Sequence, residues 1–216
     1  MLQIKSFEFN PFQENTYVVY DETKECIIID PGCFDKREES KLSQFISDNQ
    51  LIVKRLINTH CHIDHVLGNA FIKRTFKVKL FIHKLEAPIL KAVKSYAPNY
   101  GFAQYQDSEA DGFINEEDTL QFGSQSLKIL FVPGHSPGHI ALYDVNTKSL
   151  IGGDVLFQNS IGRTDLPGGD MNTLIESIHQ KFFSLPDEVT VYCGHGPTTK
   201  IGFEKRTNPF CAVAQD

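Results

Sequence analysis

The order of residue types predicts an α/β fold in which two mixed β-sheets pack face to face with helices outside, a four-layer αββα sandwich. Three observations point to it. Strand-like runs rich in Ile, Val and Tyr fill the first third, helical and strand segments then alternate, and a second set of strands and helices closes the chain. Several apolar runs stop at a histidine or an aspartate, as strands do when they deliver side chains to a sheet edge. With 216 residues and no internal repeat, low-complexity tract or linker, one domain over 1–216 is expected.

Strands are expected at 3–9, 15–20 and 26–30, with Asp21-Glu22-Thr23-Lys24 as the turn between the last two. In 35–49, Leu42, Phe45 and Ile46 recur at helical spacing under a charged face, which predicts an amphipathic helix. A strand at 51–58 leads into a histidine cluster. A helix over 65–76 with Val66, Leu67, Ala70 and Phe71 inward comes next, then a strand at 78–83 and a helix from about 86 to 94. Between 96 and 118 the pattern dissolves into Pro, Gly, Asn and aromatic residues. Loops this long often form lids or substrate walls, and Tyr96, Tyr100, Phe102 and Tyr105 either line a pocket or simply pack. Strands at 119–122, 125–132, 139–145 and 149–153 follow, the first pair joined by Gly123-Ser124 and the last by Asn146-Thr147-Lys148. A helix over 170–183 with Leu174, Ile175, Ile178 and Phe182 on one side, a strand at 189–193 and a short helix over 198–206 complete the order.

Composition narrows the function. A formal net charge of -6 and the absence of a basic stripe argue against nucleic-acid binding. No basic start precedes a long apolar run, and no stretch approaches the roughly 18 apolar residues of a membrane span. A soluble, cytoplasmic chain is expected, with no membrane partner. Cysteines 26, 33, 61, 193 and 211 are odd in number and form no C-x-x-C pair, so they read as reduced, mostly buried thiols. Strand alternation should turn the Cys61 sulfur away from the histidines beside it.

Those histidines are the chemical signal. His60-Cys61-His62-Ile63-Asp64-His65 packs three imidazoles and a carboxylate into six residues at the end of the apolar run Leu56-Ile57-Asn58-Thr59. In an extended segment His60 and His62 point to one side, while Asp64 and His65 open the next helix and can reach a second point nearby. Three other strands stop at potential ligands: His135 after Pro133-Gly134, Asp154 after Gly152-Gly153, and His195 after Cys193-Gly194. Neutral imidazole and carboxylate suit zinc, iron and manganese, and the lack of thiolate ligands is the mark of a catalytic rather than a structural site.

Taken in order, Thr-His-Cys-His-Ile-Asp-His at 59–65, Pro-Gly-His at 133–135, Gly-Asp at 153–154 and Cys-Gly-His at 193–195 resemble the metallo-β-lactamase superfamily of αββα hydrolases over nearly the whole chain. The resemblance implies two divalent metal ions, zinc first and iron or manganese as alternatives. His60, His62 and His135 would bind one ion, Asp64, His65 and His195 the other, and Asp154 would bridge them, leaving a hydroxide between. Asp64 and Asp154 thereby become catalytic carboxylates. Within the superfamily, 153–157, 161–165 and 192–197 resemble glyoxalase II (hydroxyacylglutathione hydrolase) and its shorter bacterial relatives, whereas the main antibiotic-degrading class has cysteine in place of Asp154. The sequence ends soon after the last ligand, so the glutathione-gripping C-terminal helical domain of full-length glyoxalase II is expected to be missing. Arg163 stands where that enzyme has a lysine for the glutathione carboxylate, and Asp165 replaces a substrate-binding tyrosine.

The resemblance implies a small-molecule thioester as substrate. A thiol leaves as thiolate without a strong general acid, since its pKa is near ~8.5, whereas an amide nitrogen needs a proton donor and no candidate stands out. The competing reading is a mononuclear iron persulfide dioxygenase of the same fold, with His60, His135 and Asp154 as its facial triad and a similar Gly-Arg-Thr-Asp segment at 162–165. Other residues keep two readings each. Asp30 orients a ligand or caps a turn before Pro31-Gly32; Arg163 anchors a substrate carboxylate or pairs locally with Asp165. His139 is expected beside the ligands or in the core, and His83 and His179 as structural.

Overall fold

Residues 1–213 are described by a computed structural model of the chain. They divide into two compact units, one built from residues 1–114 and the hairpin tip 121–126, the other from 115–120 and the chain from Leu127 onward.

The first unit carries a six-stranded mixed sheet whose strands lie side by side in chain order: β1 (Gln3–Phe9), β2 (Glu14–Tyr20), β3 (Glu25–Ile29), β4 (Ile52–Ile57), β5 (Leu80–Ile82) and β6 (Gly112–Phe113). β1, β2 and β3 pair antiparallel, and β3 through β6 pair parallel. Cys26-Ile27-Ile28-Ile29 of β3 is buried throughout, as a strand covered on both faces must be. The crossover from β3 to β4 is helix α1 (Lys36–Asp48), capped by Asp35, whose side chain accepts from Glu38 N at 2.8 Å; such a cap contributes about 1 kcal/mol. Leu42 and Ile46, one turn apart on α1, enter a core with Phe7, Phe9, Ile28, Leu56 and Leu80.

The helix expected over 65–76 is broken in two: α2 (Ile63–Val66) and α3 (Asn69–Phe76). The break is Gly68. Its N–H donates to Pro31 O at 2.7 Å, and a Cβ there would lie 2.5 Å from Cys33 Sγ and 2.8 Å from Pro31 O, so the chain can come this close only as glycine. A 3₁₀ turn (Lys84–Glu86) precedes α4 (Ala87–Tyr96), and the irregular stretch after it holds a second 3₁₀ turn, Ala97–Tyr100, before β6.

The second unit carries another six-stranded mixed sheet, of β7 (Thr119–Phe122), β8 (Gln125–Phe131), β9 (Ile140–Asp144), β10 (Ser149–Gly153), β13 (Thr190–Cys193) and β14 (Thr199–Lys200), in the spatial order β14-β13-β10-β9-β8-β7. β10 pairs parallel with β13; the β8–β9, β9–β10 and β13–β14 pairs are antiparallel. β11 (Leu156–Phe157) and β12 (Ser160–Ile161) form a small separate hairpin, too short for a sequence pattern to reveal. The helix expected over 170–183 is α5 (Met171–Ser177) running into a π turn at Ile178–Phe182; Leu174, Ile178 and Phe182 are fully buried in the unit's core. The expected final helix gives up its first residues to β14, leaving α6 (Ile201–Thr207). Among the described residues, no helix is long and apolar enough to cross a membrane. All five cysteines are free and buried.

Asp21, in the turn after β2, ties the tip of the β7–β8 hairpin into the first unit. Its buried carboxylate accepts from Thr23 N and Oγ1 at 2.9 and 2.5 Å, from Ser124 N and Oγ at 2.7 Å each, and from Gln125 Nε2 at 3.0 Å. Burial pushes the Asp21 pKa up, but these donors together outweigh it and hold the group well below the usual carboxylate range. Asp21→Ala is expected to cost about 1–3 kcal/mol in a urea titration at neutral pH. Because the folded-state pKa is depressed, that contribution is complete above the unfolded value near ~3.9 and fades as pH falls below it, so the gap between wild type and variant should narrow in acid. A gap independent of pH down to the acid transition would contradict this role.

Candidate metal centre

β3 and β4 are parallel neighbours, so the residues that follow them leave the sheet at one edge. Asp30 follows β3 in the left-handed backbone region, with φ of 49°, and donates its N–H to Ile57 O at 3.0 Å. Its buried carboxylate then accepts from Thr59 N at 2.7 Å, from Thr59 Oγ1 at 2.5 Å and from His65 Nδ1 at 3.2 Å. Thr59 has a single hydroxyl proton, which goes to Asp30, so its oxygen accepts the N–H at His60 Nδ1, 3.1 Å away. Both rings therefore carry their proton on Nδ1 and keep the Nε2 lone pair for a cation. Of the two readings of Asp30, the one in which it orients a neighbouring histidine is what the geometry contains.

Around this pair the other donors gather. One ligating atom each from Asp30, His60 and His65 lie within 4.8 Å of one another. His65 Nε2 is 3.7 Å from Asp64 Oδ2, and the His60 ring centroid is 4.8 Å from that of His62 and 4.2 Å from that of His65. The segment is pinned by groups that no motif marks out. Asn10 Nδ2 donates to Asp64 O at 3.1 Å, Asn58 Nδ2 to His65 O at 2.9 Å, and the buried Glu86 accepts from Cys61 N at 2.8 Å. Glu14, also buried, accepts from Thr16 Oγ1 at 2.9 Å and places Oε1 3.9 Å from His65 Nδ1. Burial pushes the Glu14 carboxyl well above its ordinary range, with His65 opposing the rise. The Cys61 sulfur faces the core, as alternation requires, and burial raises its pKa, with Glu86 and Asp30 adding to the effect.

In the second unit the same device recurs. β10 and β13 run parallel through a bulge that sets Gly153 beside Cys193, and Gly194 N donates to Gly153 O at 2.8 Å, so Asp154 and His195 emerge together. β8 points the same way as β10, being antiparallel to the strand between them, and His135 follows it. His135 Nε2 and His195 Nε2 lie 3.6 and 3.4 Å from the same oxygen, Asp154 Oδ2. His135 Nδ1 donates to the carbonyl of Arg163 at 2.7 Å, which again reserves Nε2. Asp154 N donates to His139 Nε2 at 3.0 Å, so His139 spends its lone pair on holding Asp154 and is a positioning residue. Gly162 is needed beside them: a Cβ would fall 2.0 Å from Asp154 O.

The donor set fits divalent cations in each unit taken separately. Neutral imidazoles and carboxylates are borderline-to-hard ligands, and the 3.4–3.7 Å separations are near the edge of about 3.3 Å expected for a tetrahedron with ~2.05 Å metal–ligand bonds. Arg163 and Asp165 form an exposed, bidentate pair, Nε to Oδ1 and Nη2 to Oδ2 at 2.7 Å each, and the arginine draws the Asp165 pKa down to about 2. The local ion pair of the two readings is thus present; what the sequence did not foretell is that Arg163 also serves His135 through its backbone oxygen.

The chain is similar to known proteins over most of its length. The metallo-beta-lactamase superfamily model matches residues 9–195. Hydroxyacylglutathione hydrolase GloC of Haemophilus influenzae is 36% identical over 211 residues, 97% of this chain and 98% of that protein. Among solved structures, the BLEG-1 B3 metallo-beta-lactamase is similar with a TM-score of 0.89 at 36% identity, covering 98% of this chain and 100% of that one. TTHA1623 in a di-iron-bound form has a TM-score of 0.85 at 35% identity, with coverage of 95% and 99%. Two mixed sheets flanked by helices, as expected, match the metallo-beta-lactamase fold of these structures.

Replacing Asp30 by Asn keeps an oxygen for the Thr59 N–H but removes an acceptor from the Oδ2 side. Asp30→Asn is expected to weaken metal binding about 10–100-fold, read by competition with a chromogenic chelator, with the far-UV spectrum unchanged. Wild-type affinity in this variant would remove Asp30 from its orienting role.

Proposed function

We propose, from the premise that this chain belongs to the metallo-beta-lactamase superfamily, that it is a dinuclear metal-dependent thioesterase of the glyoxalase II kind, a single domain over 1–216 acting in the cytoplasm. The observation that carries the reading is the shared Asp154 Oδ2, set 3.6 and 3.4 Å from two Nε2 atoms. A carboxylate oxygen so flanked suits a bridging ligand. In this proposal His60, His62 and His135 would hold one ion and Asp64, His65 and His195 the other, with Asp154 shared between the two sets, zinc first and iron or manganese as alternatives.

When bound, the ions supply water ionised near neutral pH and positive charge to polarise a carbonyl. The chain's own residues do the rest. Asp30, Thr59 and the Arg163 carbonyl fix the tautomers of His65, His60 and His135, and His139 fixes the backbone of Asp154. Arg163 offers a guanidinium fork to a substrate carboxylate when Asp165 yields it. A thioester is favoured over an amide because a thiolate departs without a proton donor. The 36% identity with GloC, over 97% of this chain and 98% of that protein, supports a hydroxyacylglutathione or a related thioester as substrate.

The test is turnover of S-D-lactoylglutathione beside a thioester panel, a β-lactam and glutathione persulfide, on protein of measured metal content. Two ions per chain and thioester hydrolysis are expected, abolished in His60→Ala and Asp154→Ala with the fold retained. One iron per chain with oxygen uptake on the persulfide would establish the dioxygenase reading instead. Undiminished hydrolysis in either variant would refute the ligand assignment.

A further inference from the structure

Glu204 of α6 is fully buried. Its Oε1 accepts from Thr199 Oγ1 at 2.5 Å, and its Oε2 accepts from Asn159 N at 3.0 Å and from Asn208 Nδ2 at 2.7 Å. Asn208, buried just beyond the end of α6, sends its other Nδ2 hydrogen to Ser160 O at 3.0 Å. Its Oδ1 accepts from Phe210 N at 3.0 Å, which fixes the orientation of the amide. The α6 end of the chain thus grips both the Asn159 N–H and the Ser160 carbonyl, at the tip of the β11–β12 hairpin.

That hairpin cannot place itself. It contains two residue pairs, Leu156 with Ile161 and Phe157 with Ser160, and even longer hairpins are marginal in water when isolated. Leu156 and Ile161 root its base in the unit's core, while Glu204 and Asn208 hold the tip. A carboxylate taken out of water is costly unless hydrogen bonds replace its hydration, so Glu204 and its three donors hold one another.

The hairpin lies among the donors of the second unit. It begins two residues after Asp154 and ends just before Gly162, whose N–H returns to Val155 O at 3.2 Å. Next comes Arg163, whose carbonyl accepts from His135. On its other side β11 lies against β13, the strand that delivers His195, and the Phe157 ring meets the His195 ring edge-on at 6.2 Å. A displaced tip would therefore be felt at Asp154, His135 and His195 together.

We infer that Glu204 and Asn208 are positioning residues for these three donors, acting through the hairpin and touching no ion themselves. The inference rests on the metal-centre reading above and assigns its outer support in the second unit.

The experiment uses the full chain and two readouts. One is Co²⁺ affinity, by competition with a chromogenic chelator; the other is the ring C–H resonances of His195 in metal-free protein. Phe157→Leu marks where those resonances fall once the facing ring is gone. Asn208→Ala and Glu204→Leu are expected to weaken Co²⁺ binding about tenfold and to move the His195 resonances toward the Phe157→Leu values. Glu204→Gln should restore both, since its amide nitrogen can donate to Thr199 Oγ1 and leave the oxygen to Asn159 and Asn208. Ile178→Val, which trims the same core, should lower the unfolding temperature and leave both readouts at wild type. Changes in folded Asn208→Ala no larger than those in Ile178→Val would overturn the clamp, and so would Glu204→Gln as impaired as Glu204→Leu. Asn208→Ala decides the matter if Glu204→Leu does not fold. Should the wild type take up no Co²⁺, the metal-centre reading fails, and the His195 resonances alone decide whether the clamp holds.

Discussion

The constraint on which the donor geometry depends is that imidazole has two nitrogens and only one can face a cation. A histidine free to choose its tautomer presents the wrong nitrogen part of the time. Here three rings are denied that choice. His60 gives its Nδ1 proton to Thr59, His65 to Asp30 and His135 to the Arg163 carbonyl. Asp30 governs two of these, directly and through the hydroxyl it polarises, and it does so from a left-handed backbone position that folds its carboxylate back toward the β4 end. Its burial is tolerated because it accepts three bonds.

Strand direction explains why such donors meet at all. In each sheet parallel strands finish at a common edge, so residues remote in the chain arrive within a few ångströms without a long loop to position them. Rigid strand ends also spare the entropy that flexible ligands would lose on capturing an ion. Helices then enter as crossovers and covers, with Leu42 and Ile46 of α1 in one core and Leu174 and Ile178 of α5 in the other.

Much of this could be read from residue order, and the reasons differ by element. β1, β7 and β10 fall where their apolar runs put them, because each has a turn signal at its end. The donors were legible because histidine and aspartate after an apolar run have few structural reasons to be there. The break at Gly68 was not, since helical spacing continues across it and only the approach of Pro31 and Cys33 demands the glycine. Glu14 and Glu86 were equally silent: a lone carboxylate in a strand or at a helix start looks like solvated surface until a tertiary partner buries it. The Arg163 carbonyl could never have been read, because a backbone acceptor has no letter in the sequence.

That last point bears on how the chain can change. Because His135 leans on a main-chain oxygen, any side chain at 163 that preserves the local backbone leaves the imidazole where it is. Position 163 can therefore change its side chain without changing the His135 hydrogen bond. Position 30 has no such latitude, since its support is the carboxylate itself. One half of the donor set can diversify its surroundings while the other is held to a single amino acid.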